Sequence, residues 1–163
     1  MKRIITVIAS LTLLLSLLPS LSSPVALADN DGFEISGEIF ADNNGDGYDN
    51  GKDKEIKKTA FTVRLFKQNS AGKYVKYRQQ TVRDGEYEFD DLPAGNYKVY
   101  VKYPNSNKYK TVTKKLSSKK GEWEERNGFK KHNKNWVVSN IVKFTRKSKT
   151  DDISIDCGFK VKK

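Results

Sequence analysis

Asp84-Gly85-Glu86-Tyr87-Glu88-Phe89-Asp90-Asp91-Leu92-Pro93-Ala94-Gly95-Asn96-Tyr97-Lys98-Val99-Tyr100-Val101 holds two apolar alternations, Tyr87/Phe89 and Tyr97/Val99/Val101, on either side of a Pro-Ala-Gly-Asn turn. Side chains two residues apart share one face of a strand, so the spacing predicts two half-buried strands and a reversal that returns the chain to the core. Asp84-Gly85, between Val82 and Tyr87, predicts a further reversal: a type I′ hairpin turn, which needs the positive φ that Gly and Asp tolerate. The same alternation recurs at Phe33/Ile35/Ile39, at Phe61/Val63/Leu65 and at Ile153/Ile155/Cys157/Phe159, with turn residues such as Asn69-Ser70-Ala71-Gly72 between the runs. Helical periodicity is nearly absent. Short strands at these intervals predict an all-β sandwich.

At the N-terminus Lys2 and Arg3 precede an apolar run from Ile4 to Leu18, and Ala26-Leu27-Ala28 supplies the small-x-small pattern that signal peptidase reads. Ser10, Ser16, Pro19, Ser20 and Pro24 interrupt a run already short for a bilayer core of about 30 Å, which argues against a membrane-spanning helix. Residues 1–28 are therefore expected to be a secretory signal peptide and 29–163 one sandwich domain, secreted and monomeric, with no later membrane span. Removing Lys2 and Arg3 takes the formal net charge from +11 to +9. That balance favours polyanions such as teichoic acid, heparin-like glycans, anionic headgroups or nucleic acid, although a Lys-rich surface also serves plain solubility. Cys157 is the only cysteine. Disulfides do not staple the domain, and the alternation places this thiol inside.

Directly after the first run stands Asp42-Asn43-Asn44-Gly45-Asp46-Gly47-Tyr48-Asp49-Asn50-Gly51-Lys52-Asp53, with oxygen-bearing side chains at loop positions 1, 3, 5, 9 and 12 and Gly at position 6. Hard cations take six to eight oxygens, and this spacing turns alternate side chains toward one centre. The expected ion is Ca2+, with Asp42, Asn44, Asp46, Asn50 and Asp53 as its side-chain ligands. Asp53 occupies a position where Glu is usual, and a shorter carboxylate reaches less easily as a bidentate ligand. Glu55 and Asp49 are alternatives to it. Asp90-Asp91 and Asp151-Asp152 are candidates for a second site.

Between about 105 and 135 the pattern loosens into a long basic excursion with one short strand near Tyr109–Val112. Lys114-Lys115, Lys119-Lys120 and Lys130-Lys131 stand there among Trp123, Phe129 and Trp136. The lysines, with Trp123, form a candidate polyanion-binding loop for teichoic acid or a glycosaminoglycan. Trp136 is a second candidate for stacking on sugars beside Trp123, and it also reads as a plug for the sandwich edge.

Three pieces in one order carry a resemblance: Ile35-Ser36-Gly37-Glu38-Ile39-Phe40 running into Asp42-x-Asn44-x-Asp46-Gly47; Asp84-Gly85-x-Tyr87-x-Phe89-x-x-Leu92-Pro93-x-Gly95-x-Tyr97-x-Val99; and Ile153-x-Ile155-Asp156-x-Gly158-Phe159. Together they resemble the calcium-binding B-type domain of serine-aspartate-repeat surface proteins of Gram-positive bacteria, within the wider collagen-adhesin B-type and transthyretin-like group. The resemblance implies a seven-stranded, immunoglobulin-like Greek-key sandwich of prealbumin type, in which calcium locks an inter-strand loop. It implies those five side-chain ligands together with the Tyr48 backbone carbonyl. It also implies a role at a cell surface, with the chain released or held there non-covalently because no serine-aspartate repeat, adhesive head or sorting signal accompanies the module.

Enzyme chemistry finds little support. A self-forming Lys–Asn bond needs a Lys on the first strand and a buried Glu, but Phe33 to Phe40 contains no Lys and apolar and basic residues surround Val101. His132, the only histidine, sits in a Lys-rich loop, a dyad with Cys157 rests on nothing beyond the presence of both, and zinc would lack nitrogen and sulfur ligands. Carboxylate pairs for glycoside hydrolysis are better spent on calcium, and nucleic acid has no reading element. The expected function is a non-catalytic, calcium-stabilised adhesion or surface-association module. Its alternatives are a cationic glycan-binding protein or an inhibitor-like or toxin-like secreted factor.

Overall fold

The computed structural model describes residues 32–56, 59–103, 108–115 and 127–162. The signal-peptide reading and the part of the basic excursion holding Lys119, Lys120 and Trp123 lie outside them. Twelve strand segments run in the order β1 (Phe33–Asp42), β2 (Lys54–Glu55), β3 (Phe61–Gln68), β4 (Tyr74–Val82), β5 (Glu86–Leu92), β6 (Gly95–Lys102), β7 (Tyr109–Val112), β8 (Lys130–Lys131), β9 (Trp136–Val138), β10 (Val142–Phe144), β11 (Asp152–Ser154) and β12 (Cys157–Val161). They form two six-stranded sheets. The first has the order β11-β1-β12-β7 with β2 and β5 also on β1; the second has β4-β3-β6-β9-β8 with β10 also on β6. This is the expected immunoglobulin-like sandwich, its framework strands broken into shorter pieces where β1 and β6 exchange partners along their lengths. Among the described residues no helix is long and apolar enough to cross a membrane.

β1 is the axis of the first sheet. Its first half pairs antiparallel with β5 and parallel with β11, and its second half pairs parallel with β12 and antiparallel with β2. The alternation read in the sequence supplies the core: Ile35 and Ile39 from β1, Phe61, Val63 and Leu65 from β3, and Tyr97, Val99 and Val101 from β6 are fully or almost fully buried. Ring contacts join the sheets, Phe33 against Phe144 at 4.5 Å and Phe61 against Phe159 at 6.0 Å between centroids. The outer side of the first sheet is also covered near its end. A Cβ on Gly158 would lie 2.6 Å from Phe40 Cζ and 2.8 Å from Thr113 Oγ1, so only Gly lets Phe40 cross this strand.

The reversal at Asp84-Gly85 is not a hairpin. β4 pairs with β3 in one sheet and β5 with β1 in the other, so this turn carries the chain between layers. Only Gly85 has positive φ there, whereas type I′ needs it at both central residues. The local turn chemistry was legible, but Tyr87 and Phe89 gain more by facing the core from β1's sheet than by pairing with the exposed edge strand β4. The Pro93–Asn96 turn also changes sheets, and the Tyr97 hydroxyl donates to the Pro93 carbonyl across it, as in the tyrosine corners of immunoglobulin-like sandwiches.

Burial leaves a titration signature. Burial, and then the neighbouring Asp156, push the Tyr87 hydroxyl and the Cys157 thiol well above their usual values, and burial pushes Tyr97 up to about 12. The unfolded chain loses these protons near pH 9–10 while the folded chain keeps them, so the folded state binds more protons there and stability falls as pH rises. Melting temperature is expected to hold between about pH 7 and 8.5 and to decline from about pH 9 upward, and Cys157 should react with Ellman's reagent at pH 8 only after denaturation. A thiol titrated at native rates for a surface cysteine would contradict the burial.

Candidate metal centre

Asp42 is the last residue of β1 and is 1% exposed. The strand ends there because the loop bends on Gly45 and Gly47, both at positive φ, and the Asp42 carboxylate accepts from both of their N–H groups. Each later acid folds a turn in the same way. Asp46 accepts from Tyr48 N–H at 2.8 Å, and Asp53 accepts from Asn43 N–H at 2.8 Å. Asn44 and Asn50 accept from the N–H groups of Asp46 and Lys52, and their side-chain nitrogens donate to Asp46 Oδ2 at 2.7 and 3.2 Å. Such local bonds are why Asp and Asn fill this loop.

The outcome is convergence. Asp42, Asp46 and Asp53 each place a carboxylate oxygen within 4.8 Å of the other two, so three of the expected ligands meet around one point, with the Asn44 and Asn50 amides on Asp46. At that separation the like charges repel one another, and solvent screens the repulsion at exposed Asp46 more than at buried Asp42. The Tyr48 N–H, ahead of neighbouring amides and Lys52, lowers the pKa of Asp46 and keeps it ionised despite this. An all-oxygen, carboxylate-rich donor set around a buried Asp fits a hard divalent cation and lacks the nitrogen and sulfur donors that zinc and copper favour.

The alternatives sit elsewhere. Asp49 lines a separate cleft of about 520 Å³ with Glu38, Asp84, Glu86, Glu88 and Asp156, and Glu55 is placed by the backbone pairing of β2 with Phe40. Asp90 is ion-paired with Arg78 at 3.3 Å, and Asp152 lies on exposed β11, where it contributes, after burial, to raising the pKa of nearby Glu34. Of the polyanion candidates, Lys114, Lys130 and Lys131 are exposed and Lys115 is half-buried, its pKa lowered by burial and by the nearby charge of Lys130. His132 lies exposed against Tyr100 on the second sheet, whereas Cys157 is buried in the first, so the core separates them.

Sequence reasoning missed two features. One is the acidic cleft, whose six carboxylates come from separated segments of a basic chain. The other is Asn127, which lay in the loosely patterned stretch and is fully buried. Its N–H donates to the Gly47 carbonyl of the metal loop at 2.8 Å. Its amide donates to the Thr113 and Phe129 carbonyls and accepts from Phe129 and Gly158 N–H groups, tying the loop, β7 and β12 together. Only the polarity of an Asn just before Gly128-Phe129 hinted at it.

Fold and site together define an immunoglobulin-like β-sandwich module with an acidic oxygen-ligand loop at the end of its first strand. Residues 33–159 match the SdrD B-like domain family, and the chain belongs to that family of surface-protein modules. No curated protein matches it.

Asn127→Ala strands four backbone groups in the interior, where each unsatisfied group costs about 1–3 kcal/mol. It is expected to lower stability by about 3 kcal/mol or more in urea unfolding, while Asn135→Ala at the surface stays within about 0.5 kcal/mol.

Proposed function

We propose that this protein is a secreted, non-catalytic surface-association or adhesion module whose sandwich is locked by Ca2+ bound at Asp42, Asn44, Asp46, Asn50, Asp53 and the Tyr48 carbonyl. The convergence of three carboxylates at the end of β1 carries the reading. A divalent cation there relieves their repulsion and joins the first strand to the loop that Asn127 ties to β7 and β12. The module is thereby stiffened where it has no disulfide to do so. A non-catalytic role is supported by a thiol held protonated in the core and a histidine on the far face.

Calorimetric titration with CaCl2 and melting curves in calcium and in chelator test this. At a free ion level a hundredfold above the dissociation constant, binding adds about 2.7 kcal/mol, or roughly 10 °C in melting temperature for a domain of this size. Asp46→Asn and Asp53→Asn should both lose that increment, and Asp53→Asn should melt in chelator no lower than the parent because it removes a charge beside Asp42. A parent protein whose melting is indifferent to calcium would end the proposal.

A further inference from the structure

We infer that the outer face of the second sheet, around Arg64, Tyr100 and Trp136, seats a sugar ring of an acidic polysaccharide. The inference does not rest on calcium or on the lysine pairs Lys114-Lys115 and Lys119-Lys120. Because Val63, Leu65, Val99, Val101 and Val137 point into the core, their strand neighbours Arg64, Lys98, Tyr100, Lys102 and Trp136 stand outward. Register then sets Arg64 beside Tyr100 and Lys102 beside Trp136.

The side chains there are organised. The Arg64 guanidinium lies over the Trp136 ring, 4.4 Å from its centroid, and its Nε donates to Gln79 at 2.7 Å. That bond and the stacking hold the guanidinium in place without using its two terminal nitrogens, and among the described residues Arg64 has no carboxylate partner. Tyr100 is flanked by Phe66 at 4.7 Å and by His132, edge-on, at 5.3 Å. Asn133 Oδ1 is occupied by the N–H groups of Asn135 and Trp136, which leaves its side-chain nitrogen as a donor. Together these six residues, Asn133 included, line a concavity of about 140 Å³.

Size, charge and shape name the ligand. The concavity is well below the roughly 300–1,000 Å³ of pockets that enclose a drug-sized molecule, so it suits one ring of a longer chain. No acid lines it, and exposed Lys102 and Lys130 border it through Trp136 and Val138, while the acids of the chain gather in the cleft on the first sheet. The ligand is therefore anionic. The aromatic planes meet at 51° and 89° and present edges and short faces to a puckered ring with hydroxyls, where a flat base would need a parallel stack. A uronate or sulfate on the sugar meets the planar fork of Arg64, which pairs with such anions through two hydrogen bonds.

The test uses the mature chain with Trp123→Phe, which leaves Trp136 as the only tryptophan, and follows its emission during titration with a heparin-derived hexasaccharide. Polyphosphate and single-stranded DNA of equal charge serve as comparators. Binding is expected to shift Trp136 emission for the hexasaccharide and to be at least about tenfold weaker for both comparators. In the parent background, followed by calorimetry, Trp136→Ala and Arg64→Gln should each weaken hexasaccharide binding about tenfold with melting unchanged, and Trp136→Phe should recover part of the loss. The triple variant Lys114→Gln, Lys119→Gln, Lys120→Gln removes more charge yet should cost less than Arg64→Gln alone. Equal binding of polyphosphate or DNA, a silent Trp136, or greater loss in the triple variant would each overturn the inference.

Discussion

The sandwich depends on β1 finding strand partners on both of its sides. A central strand carrying Ile35 and Ile39 into the core cannot leave its backbone groups unpaired, and four different segments supply partners to its ten residues. Two of them, β11 and β12, come from the far end of the chain and run parallel to it. The first and last strands of the domain thus close upon each other, and the loop closure needed to bring them together is repaid by the contacts of Phe159, Cys157 and Ile155 with the core. Everything between them is hung from this pairing.

The metal loop is a direct extension of that strand. Asp42 is buried because β1 is, and a buried carboxylate must be satisfied. The Gly45 and Gly47 N–H groups do this from one side, which bends the loop and brings Asp46 and Asp53 within reach. Asn127 holds the bend from the other side through the Gly47 carbonyl. The acidic cluster is therefore built by the fold's own need to pair backbone groups, and its convergence follows from which side chains the bend turns inward.

Charge is segregated over the surface in a way the net value of +11 conceals. Acids concentrate in the metal loop and in the cleft beside Asp156, both around β1, while Arg64, Lys98, Lys102 and Lys130 stand on the second sheet. The sheets thus present faces of opposite character. That division lets a cation be met at one face and an anion at the other without the two competing.

Strand alternation, the acid spacing and the ordering of motifs were enough to determine the all-β class, most core positions and the tight acidic loop after β1, because each is a short-range pattern: period two for strands, single-residue steps for an Asx-rich loop. Phe61, Val63, Leu65, Tyr97, Val99 and Val101 were readable for that reason, and so were Asp42, Asp46 and Asp53. The tertiary structure alone decided that Asp84-Gly85 joins two sheets instead of closing a hairpin, since the choice depends on competition between β1 and β4 for the same segment. It alone raised Asn127 to a hub, gathered six acids into one cleft and set Arg64 over Trp136, 72 residues away in the chain. Those are consequences of sheet register between distant strands, and register is set by the burial of a whole face at once, which no local pattern encodes.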